Sequence, residues 1–234
     1  MNPQPPPPPP PPPPSPIIRD APALLRMSRG FSCLFWSMPL LSTAHAVAWR
    51  SLATPRGALA LLLAGFAPLI VGLWLLQSGK QASPKMRTRA YILQLLAWAA
   101  CFLTPFLAWW TSFPAQLYFA INAALYYIVM ILLLAGLNSL GATCARELGH
   151  ITLRRESRAG AMMVLCLGIA TVIALAWLFQ RSGILDAGLL VILGRLAQLP
   201  PEARALFILP YILTAYVMWR AKEAGLHLAC PPTP

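Results

Sequence analysis

Uncharged apolar runs alternate along the chain with short connectors that hold nearly all of its Lys and Arg. An α-helix rises about 1.5 Å per residue, so roughly 20 apolar residues cross a hydrocarbon core of about 30 Å. Residues 57–77 (GALALLLAGFAPLIVGLWLLQ), 91–112, 115–141 and 160–180 meet that length, and residues 203–219 form a shorter span with Pro210 in its middle. A membrane β-barrel would instead show segments of about ten residues with alternating polarity. The pattern predicts an all-α fold, a polytopic transmembrane helical bundle. It has about six spanning helices plus one short re-entrant or interfacial helix.

The first run, residues 31–49 (FSCLFWSMPLLSTAHAVAW), is uncharged but diluted by Ser, Thr, His45 and Pro39. It fits either a retained spanning helix or a signal peptide with Ala44-His45-Ala46 as an A-x-A cleavage site. The long stretch before it favours the retained helix. Residues 17–30 carry Arg19, Arg26 and Arg29 among apolar neighbours and read as a segment lying at the headgroups. Residues 5–14 are ten consecutive prolines, which form a polyproline II rod. That rod is a docking ligand for an aromatic groove or, on the plainer reading, a low-complexity spacer. The chain therefore divides into a tail at 1–30, a membrane domain at 31–219 and a C-terminal tail at 220–234.

Residues 184–199 (ILDAGLLVILGRLAQL) are short for a crossing. Asp186 and Arg195 are nine residues apart and fall on opposite sides of a helical wheel, so the segment is no amphipathic surface helix. A re-entrant or partly buried helix fits better. Its two charges either snorkel to the outer headgroups or line a path, since charge at membrane depth marks function.

Charge enters as topology. The chain carries 18 Lys+Arg against 6 Asp+Glu, a formal net charge of +12. In a soluble protein that excess would point to nucleic acid. Here the charges sit between apolar runs, with no basic stretch interleaved with aromatics, so nucleic acid is excluded as a partner. The connector 78–90 holds Lys80, Lys85, Arg87 and Arg89, and the connector 142–159 holds Arg146, Arg154, Arg155 and Arg158. Two spans separate them, so both lie on one face, and the positive-inside rule makes that face cytoplasmic. With 31–49 as a crossing, both termini fall inside, and thirteen of the eighteen basic residues lie there. The implied location is a prokaryotic inner membrane, with anionic headgroups as the first partner. The connector between 91–112 and 115–141 would continue outside with no charge. The connector 142–159 would extend the third long helix beyond the lipid, with Leu148 and Ile151 turned inward.

Candidate chemistry is sparse. Asn122 and Asn138 lie in the 115–141 run, where Asn acts as interhelical glue. Tyr126 and Tyr127 sit mid-span and should face a neighbouring helix. Small residues four apart (Ala97 with Cys101, Ala120 with Ala124, Ala170 with Ala174) suggest packing seams. Prolines 39, 68, 105 and 210 interrupt four runs, as the broken helices of transporters do. Five cysteines show no C-x-x-C spacing, and His45, His150 and His227 are scattered. No H-E-x-x-H, G-x-S-x-G, P-loop or G-x-G-x-x-G occurs. No catalytic residue, metal site or cofactor is therefore expected.

Two roles fit. One is a non-enzymatic accessory or structural subunit of a membrane assembly, packed against other membrane proteins or a second copy. The other is a small permease-like transporter whose path runs near Asp186 and Arg195. The threading makes the first prediction. Reporter fusions at residues 85 and 155 should behave identically, fluorescent with a cytoplasmic reporter and inactive with a periplasmic phosphatase; opposite behaviour would break the threading.

Overall fold

Hydrocarbon offers no partner to a backbone N–H or C=O, so a spanning segment must satisfy its own, and a helix does so within one stretch of chain. The structure is a computed structural model that describes residues 20–50, 55–78, 83–113, 116–181 and 201–230. Nearly all of these are helical: α1 (Ala21–Arg50), α2 (Pro55–Gln77), α3 (Pro84–Ser112), α4 (Leu117–Glu147), α5 (Ile151–Arg181) and α6 (Pro201–Ala229). No strand occurs among the described residues. The fold is thus the all-α bundle that the apolar runs imply. Leu59–Gln77, Pro84–Trp110, Leu117–Glu147 and Ile151–Ile173 are each long and apolar enough to cross a membrane.

The helices outrun the apolar segments that announce them. From Ala21 onward, the segment expected at the headgroups is the first part of α1, and α6 continues past residue 220 to Ala229. The cause is simple: Lys and Arg are good helix formers, so a charge ends an apolar run without ending the helix. The polyproline stretch and residues 184–199, with Asp186 and Arg195, lie outside the described residues.

Helices consecutive in the chain run antiparallel, and side-chain bonds show which ends meet. At one end Arg26 reaches the Ser78 carbonyl (3.5 Å), Ser28 donates to the Lys222 carbonyl (3.3 Å), and Glu156 pairs with Arg220 (3.5 Å). We call this the basic end. At the opposite end aromatic rings knit α3 to α4, Phe106 with Tyr118 (5.7 Å) and Trp109 with Phe119 (5.9 Å).

α1 packs against α2 and α6, α2 against α3, α3 against α4, and α4 against both α5 and α6, while α5 also touches α6. α4 is the hub. Leu133, Leu137, Leu140, Cys144 and Ala145 on it are fully buried. The α1–α2 seam is an apolar zipper in steps of three and four. Phe31, Leu34, Met38 and Leu41 meet Leu62, Phe66, Leu69 and Leu73. Outward faces stay oily, as lipid requires: Phe102 and Leu117 are both 73% exposed.

The connector 142–159 proves much shorter than expected. Helix α4 ends at Glu147 and α5 starts at Ile151. The His150 N–H bonds the Ala145 carbonyl (2.8 Å) and the Gly149 N–H bonds the Arg146 carbonyl (3.3 Å). This is a Schellman stop, with Gly149 at φ 71° in the left-handed position that glycine tolerates best. The next helix opens at once, its Leu153 N–H capped by His150 Nδ1 (3.2 Å). Leu148 is buried, but Ile151 is 60% exposed, contrary to the inward position expected of it. Continuing α4 straight would have put both on one face; the turn separates them.

The seams also differ from the alanine pairs. Ala97 is buried, yet Ala120 is only partly so and Ala124 and Ala170 are exposed. Glycines do the close packing instead. A Cβ on Gly72 would sit 2.8 Å from the Gly30 carbonyl oxygen, and a Cβ on Gly30 would sit 3.1 Å from the Gly72 oxygen. The obstacle is backbone, which cannot swing aside. Gly72→Val should therefore destabilise the purified protein by about 1–3 kcal/mol, the usual penalty of overpacking. Thermal denaturation in detergent reads it, with Gly57→Val, on an exposed face of α2, as the substitution that should cost no stability.

Candidate functional site

Three polar arrangements occupy the bundle. The first lies toward the end opposite the arginines and joins α1, α4 and α6. His45 Nδ1 is 2.6 Å from the Leu41 carbonyl, which can only accept, so Nδ1 carries the proton. Nε2 is then the acceptor for the Tyr126 hydroxyl at 2.7 Å. The Tyr211 hydroxyl lies 3.4 Å from Nδ1, and both tyrosine rings sit 5.6 Å from the imidazole centroid. Tyr126 is 3% exposed, so its inward orientation matches the expectation for a mid-span tyrosine. His45, which the sequence shows as one of three scattered histidines and as part of a cleavage motif, is in fact the centre of the group. Nothing in the spacing of residues 45, 126 and 211 could have signalled that meeting.

The second arrangement is a junction of α4, α5 and α6. Asn138 is fully buried and donates from Nδ2 to Thr214 Oγ1 (2.8 Å) and to the Leu134 carbonyl (2.9 Å). Thr214 in turn donates to the Pro210 carbonyl (2.8 Å). Gly160 passes so close that a Cβ there would stand 2.7 Å from Asn138 Oδ1, and one on Gly141 would meet Val217 at 2.6 Å. Asn138 thus reaches across helices. Asn122, by contrast, closes on its own helix at the Tyr118 carbonyl (2.8 Å).

The third lies at the basic end. Glu147 is 1% exposed, and its Oε1 accepts the Ser83 hydroxyl. Ser83 caps α3, its Oγ accepting the Met86 N–H (3.2 Å) with Pro84 in the first turn. The carboxylate therefore faces the positive end of the α3 dipole. In the sequence Glu147 follows Arg146 directly, and nothing in that spacing signals its inward turn. Arg89 Nη1 donates to the Ser139 carbonyl and hydroxyl (3.1 Å each) and to Thr143 Oγ1. Arg89, Arg146, Arg154 and Arg158 line a cavity of about 340 Å³ with Ser139, Thr143 and Met162.

Of the remaining topology residues, Lys85, Arg87 and Arg155 are exposed. Lys80, Asp186 and Arg195 lie outside the described residues. Among the described residues no three His, Cys, Asp or Glu side chains converge as metal ligands would, and all five cysteines are free thiols. The chain matches no family model, no curated protein and no solved structure.

These contacts are structural couplings with a measurable size. Interhelical hydrogen bonds in membranes contribute about 0.6 kcal/mol on average and up to about 1.7. A double-mutant cycle pairing Asn138→Leu with Thr214→Val should give a coupling in that range. A coupling indistinguishable from zero, read by unfolding in detergent, would show that the bond does not hold α4 to α6.

Proposed function

We propose that this chain is a six-crossing protein of the cytoplasmic membrane with both termini inside, acting as a non-enzymatic accessory or structural subunit of a membrane assembly. The observation that carries the reading is the placement of two tryptophans. Trp36 stands midway along α1 and is 61% exposed; Trp98 stands midway along α3 and is 53% exposed. Indoles prefer the membrane interface, where the ring is dry and the N–H is wet. Both tryptophans stand inside an apolar run rather than at its end, and an exposed indole there is better served by a neighbouring protein, which can cover the ring and bond the N–H. The interior supports the same reading, since polar side chains of different helices bond one another there (His45 with Tyr126, Asn138 with Thr214).

A second reading has its own support. Pro39, Pro68, Pro105 and Pro210 stand inside α1, α2, α3 and α6, and an imidazole lies among helices. Both features suit a small permease-like transporter, with Asp186 and Arg195 near its path.

Mild extraction from native membrane separates the two. The subunit reading expects a complex of fixed stoichiometry, with another protein or a second copy, that Trp36→Leu or Trp98→Leu weakens while the chain stays folded. A monomer unaffected by either substitution, and moving a solute in proteoliposomes, would establish the transporter instead.

A further inference from the structure

We propose that the groove at the basic end of α3, α4 and α5 binds an anionic phospholipid, its phosphate among Arg89, Arg146, Arg154 and Arg158 and an acyl chain along α4. The inference stands apart from the subunit reading and needs only that the bundle sits in a bilayer.

Charge is the first argument. Four guanidiniums border one cavity of about 340 Å³, and no carboxylate lines it. The ion pairs among the described residues lie elsewhere, Arg220 with Glu156 and Lys222 with Glu223, and Glu147 is turned toward Ser83. Like charges gathered around a shared space repel unless an anion sits between them. A phosphate suits guanidinium forks, which bind its oxygens in bidentate fashion.

The fold itself builds the cluster. The three-residue turn Leu148–His150 reverses the chain, so Arg146, on the last turn of α4, stands beside Arg154 and Arg158 on the first turns of α5. Arg89 comes from α3, held by Ser139 and Thr143 through Nη1, which leaves the other nitrogens of its fork for a ligand.

Shape distinguishes a lipid from a free phosphate. Along α4, Ile121, Leu125, Ile128 and Leu132 follow in steps of three and four and are 59, 47, 48 and 47% exposed. Further along the same face come Ser139, Thr143 and Arg146, which border the cavity. α5 repeats the arrangement, with Arg158 and Met162 at the cavity and Ile169 and Ile173 beyond, 58 and 63% exposed. Since α3 and α5 both pack on α4, the polar pocket and the exposed apolar stripe share one side of the bundle. That is the outline of an amphiphile, and basic pockets between membrane helices are where acidic headgroups settle.

The test uses the full chain, delipidated in mild detergent and returned to diphosphatidylglycerol, phosphatidylglycerol or phosphatidylcholine. Native mass spectrometry counts retained lipid. Anionic lipids should be retained over phosphatidylcholine, and Arg154→Gln with Arg158→Gln should weaken that retention by roughly tenfold or more. Arg158→Gln alone, at an exposed position, gives a smaller loss in the same direction should the double variant not fold. Lys85→Gln with Arg87→Gln removes equal charge from the same end outside the cavity and should leave retention unchanged. Equal loss in that control, or equal retention of phosphatidylcholine, would overturn the site. Displacement of lipid by millimolar inorganic phosphate, with matching stabilisation of the lipid-free chain, would assign the pocket to a free phosphate and overturn the lipid.

Discussion

A helix already surrounded by lipid tails gains little by exchanging them for another oily surface, so the assembly of this bundle depends on close fit. Glycine supplies that fit at most of its seams. Gly30 and Gly72 bring the backbones of α1 and α2 together, and Gly136 receives Leu93 of α3 on α4. Gly141 and Gly160 let α4, α5 and α6 converge on Asn138 and Thr214, and Gly225 of α6 lies against Ser28 of α1. Without that approach, the hydrogen bonds between these helices could not reach. Packing comes first and polar bonding follows from it.

The two ends of the molecule are then chemically distinct. One gathers arginines from helix ends, anchored through Ser139, Thr143 and Glu156; the other gathers rings such as Phe106, Trp109, Tyr118 and Phe119. This polarity is a consequence of antiparallel threading with asymmetric connectors. Each return of the chain to the basic end brings more cations to the same place, and the short α4–α5 turn draws them closest.

Between the ends, some buried polar side chains turn back to carbonyls of their own helix, as Ser37 and Thr104 do, and others reach a neighbouring helix, as Asn138 does. His45 does both: its two ring nitrogens are engaged by a backbone carbonyl of its own helix and by a hydroxyl of α4. Buried polar groups of this kind fix which face of a helix meets which, because rotating either helix would strand a donor in hydrocarbon. On the outer surface, aromatic side chains such as Trp36 and Phe102 stand exposed among aliphatic neighbours.

Much of this was legible in the sequence, for one physical reason. Crossing a bilayer imposes a length and a polarity on each segment, and both are local properties. So the helical class and the long apolar helices could be read directly, and the inward turn of Tyr126 followed from its mid-span position. The full extent of α1 and α6 was harder to see, because polar residues that end an apolar run also favour helix. The three-residue reversal at Gly149 was written in the chain, yet a glycine among arginines looks like any other loop glycine until its φ is known. What only the tertiary structure decided is which residues meet: His45 with Tyr126, Asn138 with Thr214 and Gly160, Ser83 with Glu147, and four arginines around one cavity. Those meetings depend on how each helix is rotated about its axis and which helix lies beside it. In lipid no face is marked by being dry, so rotation and neighbour are chosen by fit between helices, a property that no single segment carries.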